Sequence, residues 1–354
     1  MENKIRQILE ESVASGVEHG IQCVVWRNGK KIVDLCAGTR LPDGKPVTPD
    51  TLFPVFSAGK GIVSTAVHRL VELGKCSYDQ LYSTVWPEFG TDGKETITLE
   101  YAMSHRTGMH VMPAVAGPEE LADWDLMCKR LAAMKPAFEP GTQTAYQAIT
   151  YSWMAGEFAA RVAGGPFREW VEKSVLEPMG IKGQFYLGVD DAADERVSLL
   201  ARGRGEAAVV ITPETPFYMP LERMMTYPQI RKCCLPGAGA LATANGLAGH
   251  YQALLDGFLT ADTLKRATAL NIPPGTVLDL NPGSWAVFGL GYGLLGPRNN
   301  VGAVFGHNGY GGSTGFADVD TRTAFALTKT DIHMGDDPTR RKICNVLGID
   351  YKNW

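Results

Sequence analysis

Phe53-Pro-Val-Phe-Ser-Ala-Gly-Lys60, followed by Gly61-Ile-Val-Ser-Thr-Ala-Val-His-Arg-Leu-Val-Glu-Leu73, joins a possible nucleophile to an amphipathic helix. Ser57-x-x-Lys60 at the mouth of that helix sets a hydroxyl and an amine one turn apart on one face. The helix start adds unpaired backbone N–H groups and a positive dipole end. Nucleophile, nearby base and donors for an oxyanion are the parts of an acylating serine. The plain alternative is an N-cap serine with a surface lysine three residues on. The rest of the chain decides between the two.

Around this stretch the sequence divides into strand-like ends and a helical middle. Ile5, Ile8, Leu9 and Val13 follow helical spacing. Ile21 to Arg27 and Lys30 to Ala37 flank Asn28-Gly29, a strong hairpin signal. Residues 38–55 read as loop. Thr98 is an N-cap candidate, and helices are expected over Leu121 to Met134, Tyr151 to Val162, Phe167 to Val175 and Ala242 to Leu255. The region from 185 to 235 has no clear period and reads as loops over a site. Trp285 to Leu295, Val301 to His307, Gly315 to Val319 and Thr323 to Thr328 read as strands, with a turn at Asp320-Thr321-Arg322. Pro338 opens a last helix containing Ile343, Val346 and Leu347. The expected fold is α/β (α+β): an antiparallel sheet from both chain ends, flanked by helices, with an inserted helical lobe. As one domain over 1–354, its α/β lobe spans about 1–75 and 236–354, and its helical lobe about 76–235.

Composition narrows the function. The 354 residues are 45% hydrophobic and 20% charged, with a net charge of −4, values typical of a globular enzyme. No basic tract points to nucleic acid, and no apolar run is long enough for a membrane span. The first helix lacks the apolar core of a signal peptide. Cys23, Cys36, Cys76, Cys128, Cys233, Cys234 and Cys344 are scattered, without Cys-x-x-Cys spacing. A reducing, cytoplasmic setting is expected, with buried thiols; vicinal Cys233-Cys234 carries a redox alternative. The seven histidines show no metal-ligand spacing, so neither metal nor cofactor is expected. His68, on the Ser57 helix, is a surface or core residue.

An acylating Ser57 needs a base. Lys60 serves only as a neutral amine, so burial or a nearby cation must lower its pKa from about 10.4. Tyr146, in Glu139-Pro-Gly-Thr-Gln-Thr-Ala-Tyr-Gln-Ala148, is a candidate proton-transfer partner. His307-Asn308-Gly309 ends a strand and precedes Tyr310-Gly311-Gly312, whose small residues allow an acyl group close to backbone N–H groups.

These segments together resemble the serine β-lactamase and penicillin-binding-protein superfamily, on its class C, family VIII carboxylesterase and D-aminopeptidase side. Phe53 to Lys60 resembles the first motif. Ile97-Thr-Leu-Glu-Tyr-Ala-Met-Ser-His-Arg-Thr-Gly-Met109 resembles the segment that follows it. Phe138-Glu-Pro-Gly-Thr…Tyr146 resembles the second motif, Pro236 to Asn245 a Gly-rich stretch after it, and Phe305-Gly-His-Asn-Gly309 the third. The resemblance implies Ser57 as nucleophile, Lys60 and Tyr146 as the proton-transfer pair, and the N–H groups of Ser57 and Tyr310 as the oxyanion hole. His307, Asn308 and Gly309 would line the acyl group from an edge strand.

Two departures matter. Tyr146-Gln147-Ala148 stands where β-lactamases carry Tyr-x-Asn, and His307-Asn308-Gly309 where they carry Lys-Thr-Gly. The substrate-facing amide and the permanent cation are both missing. The chain is therefore expected to be a serine hydrolase of small esters. D-amino-acid peptidase or amidase activity, acyl transfer, weak β-lactam hydrolysis and a non-catalytic scaffold or sensor are the alternatives. Gly311-Gly312-Ser313-Thr314-Gly315 also matches Gly-x-Ser-x-Gly, the elbow of α/β-hydrolases. That elbow joins a strand to a helix, whereas strand-like residues follow here.

Overall fold

The computed structural model describes all residues except 204–209, 276–286, 298, 336 and 351–354. Its centre is a seven-stranded antiparallel sheet. The strand order is Lys30–Gly38, Gly20–Arg27, Thr323–Lys329, Thr314–Asp318, Val304–Asn308, Gly293–Leu294 and Val287–Phe288. The two ends of the chain meet in mid-sheet, where Ile21 pairs with Lys329 and Arg27 with Thr323. Asn28 and Gly29 both have positive φ (50° and 75°), the conformation that a two-residue hairpin requires. At the Asp320-Thr321-Arg322 turn, Asp318 Oδ1 accepts the N–H of Asp320 at 3.0 Å and of Thr321 at 3.2 Å.

Alternation along the strands decides what covers each face. Ile21, Cys23, Val25, Phe316, Phe325 and Leu327 pack with Ile5, Leu9, Ile343 and Leu347 of the two terminal helices. The opposite face sets Ala317, Ala324 and Ala326 beside the larger Val24, Trp26 and Phe305. The helix Ala244–Leu255 lies against it so closely that a Cβ on Gly315 would stand 2.8 Å from Tyr251 Cε2. The absence of a side chain at Gly315 is what lets Tyr251 of this helix come so near the sheet.

Between the terminal segments the chain is mainly helical. Lys60–Glu72 is buried along nearly its whole length and packs on Tyr151–Ala163. Thr98 caps its helix by accepting the Tyr101 N–H at 3.3 Å. His68 is a core residue, bonded to Tyr78 Oη at 2.8 Å and to the Leu290 carbonyl at 3.0 Å. All seven cysteines are free thiols, and burial pushes Cys233 and Cys234 up to about 12, which removes thiolate character.

Several boundaries differ from the sequence reading. Ser57 and Lys60 do not share an α-helical turn; Phe56–Gly59 is a 3₁₀ turn, and the α-helix begins at Lys60. The expected helix Leu121 to Met134 breaks at Asp123, whose carboxylate caps Trp124–Ala133. The expected strand from Trp285 starts among the undescribed residues. Its described part is a small hairpin, because Gly291 takes φ +80° and the Gly289 N–H bonds the Tyr292 carbonyl. Val304–Asn308 is therefore not the sheet's outer strand. Among the described residues, the hairpin pairs with this strand at Phe305 and Gly306.

Candidate active site

Ser57 is placed by short backbone pairings on both sides. Phe53-Pro54 pairs with Leu241-Ala242, and the Val55 N–H bonds the Ala240 carbonyl at 2.9 Å. Phe56 then adopts φ +47°, a region a non-glycine residue occupies only under restraint. Its buried ring meets the Tyr310 ring edge-on at 5.5 Å. The chain at 309 runs directly beside residue 55, because a Cβ on Gly309 would overlap the Val55 carbonyl oxygen. Ser57, at the start of its 3₁₀ turn where amides lack internal acceptors, and Tyr310 thus lie on adjoining backbone segments.

Lys60 is fully buried. Its Nζ lies 2.9 Å from Ser57 Oγ and 2.8 Å from the Ala148 carbonyl oxygen, and it also contacts the Gly237 carbonyl. Desolvation lowers its pKa well below the ordinary lysine value. A neutral amine has two hydrogens and one lone pair. Two carbonyl acceptors use the hydrogens and leave the lone pair for the serine hydroxyl.

Tyr146 belongs to an irregular stretch, without helix or strand. Its ring lies 5.0 Å from Lys60 Nζ, and its hydroxyl faces the Ser57 side chain. Burial raises its pKa, so it is a neutral phenol near pH 7. The Tyr146 ring stacks on Phe288 at 5.5 Å with an interplanar angle of 3°, and His307 stacks near it at 5.9 Å. His307 Nδ1 lies 2.8 Å from the Asn308 carbonyl oxygen, which assigns its proton to Nδ1 and leaves Nε2 facing Tyr146 Oη at 3.5 Å. Burial first, and then the proximity of Lys60, lowers His307 to about 3, so it is neutral. Asn308 points elsewhere: its Oδ1 accepts from Thr314 Oγ1 at 2.8 Å across the sheet.

The loop after Asn308 rests on a buried ion cluster. Lys329 Nζ reaches Glu18 Oε1 at 3.0 Å and Asp337 Oδ2 at 2.6 Å. The His333 N–H bonds the Gly311 carbonyl at 3.1 Å. Gly312, at φ +107°, leaves no room for a Cβ against Lys329 and Asp337. Farther out, Tyr310 Oη lies 3.5 Å from Arg202, which is ion-paired to Glu222 at 2.7 Å.

Ser57, Lys60, Tyr146, His307, Gly309 and Tyr310 therefore converge, and Asn308 supports the strand end. The sequence reading missed Phe288 as a wall of the site, the carbonyls of Ala148 and Gly237 as lysine acceptors, and His105, whose ring lies 4.8 Å from Tyr146. Of these, all but Phe288 stood in motif segments. Ser313 is excluded as an elbow nucleophile: it joins strands Val304–Asn308 and Thr314–Asp318, and its Oγ accepts the Lys329 N–H at 3.3 Å.

Comparison with known proteins agrees with this geometry. The beta-lactamase family profile matches residues 5–343. An esterase/beta-lactamase, LipL, of Mycobacterium tuberculosis (strain ATCC 25618 / H37Rv) is 31% identical over 331 residues, covering 86% of this chain and 75% of that protein. The crystal structure of a family VIII carboxylesterase superposes with a TM-score of 0.83 at 26% identity, covering 97% of this chain and 96% of that one. A penicillin-binding-protein homologue from Caulobacter crescentus gives 0.83 at 30% identity, covering 96% and 95%. The chain belongs to the beta-lactamase family, within the serine β-lactamase and penicillin-binding-protein superfamily, and is a serine hydrolase. No helix among the described residues is long and apolar enough to cross a membrane.

Proposed function

We propose that the protein is a carboxylesterase that cleaves small, uncharged esters through an acyl-enzyme on Ser57. The observation that carries this reading is the buried Lys60 amine, held by two carbonyls and aimed at Ser57 Oγ from 2.9 Å. Lys60 takes the Ser57 proton as Oγ attacks the ester carbonyl. The N–H groups of Ser57 and Tyr310 receive the charge that develops on the carbonyl oxygen. Tyr146, next to Ser57 and the amine, passes the proton to the departing alkoxide, which leaves as alcohol. Water then attacks the acyl carbonyl, its proton returns through the same pair to Ser57 Oγ as the Oγ–acyl bond breaks, and the acid departs.

The preference for uncharged esters rests on what surrounds this centre. His307 is neutral, Arg202 is ion-paired to Glu222, and Ala148 has no amide to offer. A substrate carboxylate, as carried by β-lactams, meets no dedicated cation in this set. The stacked faces of Phe288, Tyr146 and His307 suit an apolar acyl or alcohol group instead. The likeness to LipL, an esterase/beta-lactamase, and to a family VIII carboxylesterase supports the same reading.

The test is a panel of p-nitrophenyl esters, D-aminoacyl anilides and nitrocefin on wild type and Ser57→Ala. Ester turnover should dominate and vanish in Ser57→Ala, and intact mass should show one acyl group on wild type. Fast nitrocefin turnover beside negligible ester turnover sinks the reading.

A further inference from the structure

We propose that His105 is a positioning residue that sets the Tyr146 hydroxyl, an inference that rests on the proton-transfer role proposed for Tyr146. A phenol used for proton transfer has to be held to within a fraction of an ångström, and a shift of about 1 Å costs on the order of 10²-fold in rate. Tyr146 has no helix or strand to hold it. His105 replaces that support from two sides. Its carbonyl oxygen accepts the Ala145 N–H at 2.9 Å, and its Nδ1 accepts the Gln147 N–H at 3.3 Å. The residues before and after Tyr146 are thus tied to the same histidine.

The ring completes the clamp. It meets Tyr146 edge-on at 4.8 Å and 71°, and meets Phe288 at 4.5 Å and 72°. Since Phe288 also stacks flat on Tyr146, the phenol is gripped on its face and its edge by two rings that touch each other. His105 itself takes φ +60°, a left-handed conformation that costs about 1 kcal/mol or more in a residue of this kind. That conformation lets the carbonyl and the ring of one residue reach the same three-residue segment. Nδ1 must stay unprotonated to accept an N–H, and burial, which holds the imidazole well below its usual pKa, keeps it so.

Asparagine tolerates positive φ and carries an acceptor near the position of Nδ1, whereas leucine keeps volume without an acceptor. With p-nitrophenyl butyrate, His105→Leu should lower kcat about 30- to 100-fold and leave KM within about twofold. His105→Asn should recover most of that loss. In a Tyr146→Phe background, His105→Leu should change kcat less than about twofold, because its effect passes through the phenol hydroxyl. Wild-type kcat in His105→Leu, or an equal further loss on top of Tyr146→Phe, overturns the inference while leaving Tyr146 in its role. If His105→Leu does not fold by circular dichroism, His105→Asn decides: kcat within about fivefold of wild type supports the clamp, and a loss equal to that of Tyr146→Phe overturns it. Unchanged kcat in Tyr146→Phe alone overturns the proton-transfer role itself, and the clamp with it.

Discussion

The Ala148 carbonyl oxygen lies 2.8 Å from Lys60 Nζ, two residues beyond Tyr146. Where the related motif places a side-chain amide toward substrate, this chain has a methyl group and a backbone oxygen engaged by the lysine. Position 148 therefore holds Lys60 through its backbone.

Replacing Lys60 by Met tests that arrangement. The shapes match closely, so the buried helix start stays packed, but the amine is gone. We expect kcat for p-nitrophenyl esters to fall by about 10³-fold, within the range for loss of a general base. Calorimetry should show a melting shift of only a few degrees: two carbonyls lose a donor, at about 1–3 kcal/mol each, against relief from a desolvated amine.

The pH profile separates Lys60 from His307. Burial lowers Lys60 well below its ordinary value, so kcat/KM should rise with pH along one acid limb lying far below pH 10.5. His307, near 3, does not titrate between roughly pH 5 and 9. A His307→Gln enzyme should be slower with its acid limb in the same place; a limb that disappears in this variant contradicts the assignment.

Stability should fall in acid for a related reason. His68 is lowered to about 4, and His250 and His307 to about 3, chiefly by burial. Their unfolded values lie near 6.5, so between these limits the unfolded chain binds more protons than the native one. Stability is complete above about pH 6.5 and declines as pH falls toward the folded values. Going from pH 7.5 to 5.5 should cost about 1 kcal/mol for each histidine, read from urea midpoints. His250→Asn should flatten that slope.

Gly309→Ala addresses the oxyanion loop. The new Cβ would overlap the Val55 carbonyl oxygen and stand 3.1 Å from the Ser313 carbonyl oxygen, and neither backbone group yields easily. The loop must shift, carrying the Tyr310 N–H with it. Single-turnover acylation should slow about 10²-fold, the scale for loss of one oxyanion donor.

Ser313→Ala is the matching control. Its hydroxyl sits in a strand connection beside the Lys329 backbone, and its loss should leave kcat within about twofold. Ser57→Ala should lower kcat about 10⁴-fold or more.

The sequence carried the helices with clear caps, the Asn28-Gly29 hairpin and the order of the site segments, because these depend on neighbouring residues. Ser57, Lys60 and Tyr146 were legible for the same reason: each stands in a short motif. Phe288 was not, since its meeting with Tyr146 depends on a hairpin that bends at Gly291. The 3₁₀ turn at Phe56–Gly59 was hidden too. A buried phenylalanine with positive φ is fixed by its contact with Tyr310, more than 250 residues away, not by local propensity. Lys60's acceptors are backbone carbonyls, which no side-chain pattern reveals.

The pairing of Gly20–Arg27 with Thr323–Lys329 has a temporal meaning. During synthesis the nucleophile emerges early, while the strand that closes the sheet, and the Tyr310 loop just before it, emerge some 250 residues later. A nascent chain carries Ser57 and Lys60 through that interval without the Tyr310 backbone beside them. The proposed acylation centre is therefore assembled only once the segments around Tyr310 and Thr323–Lys329 have joined the sheet.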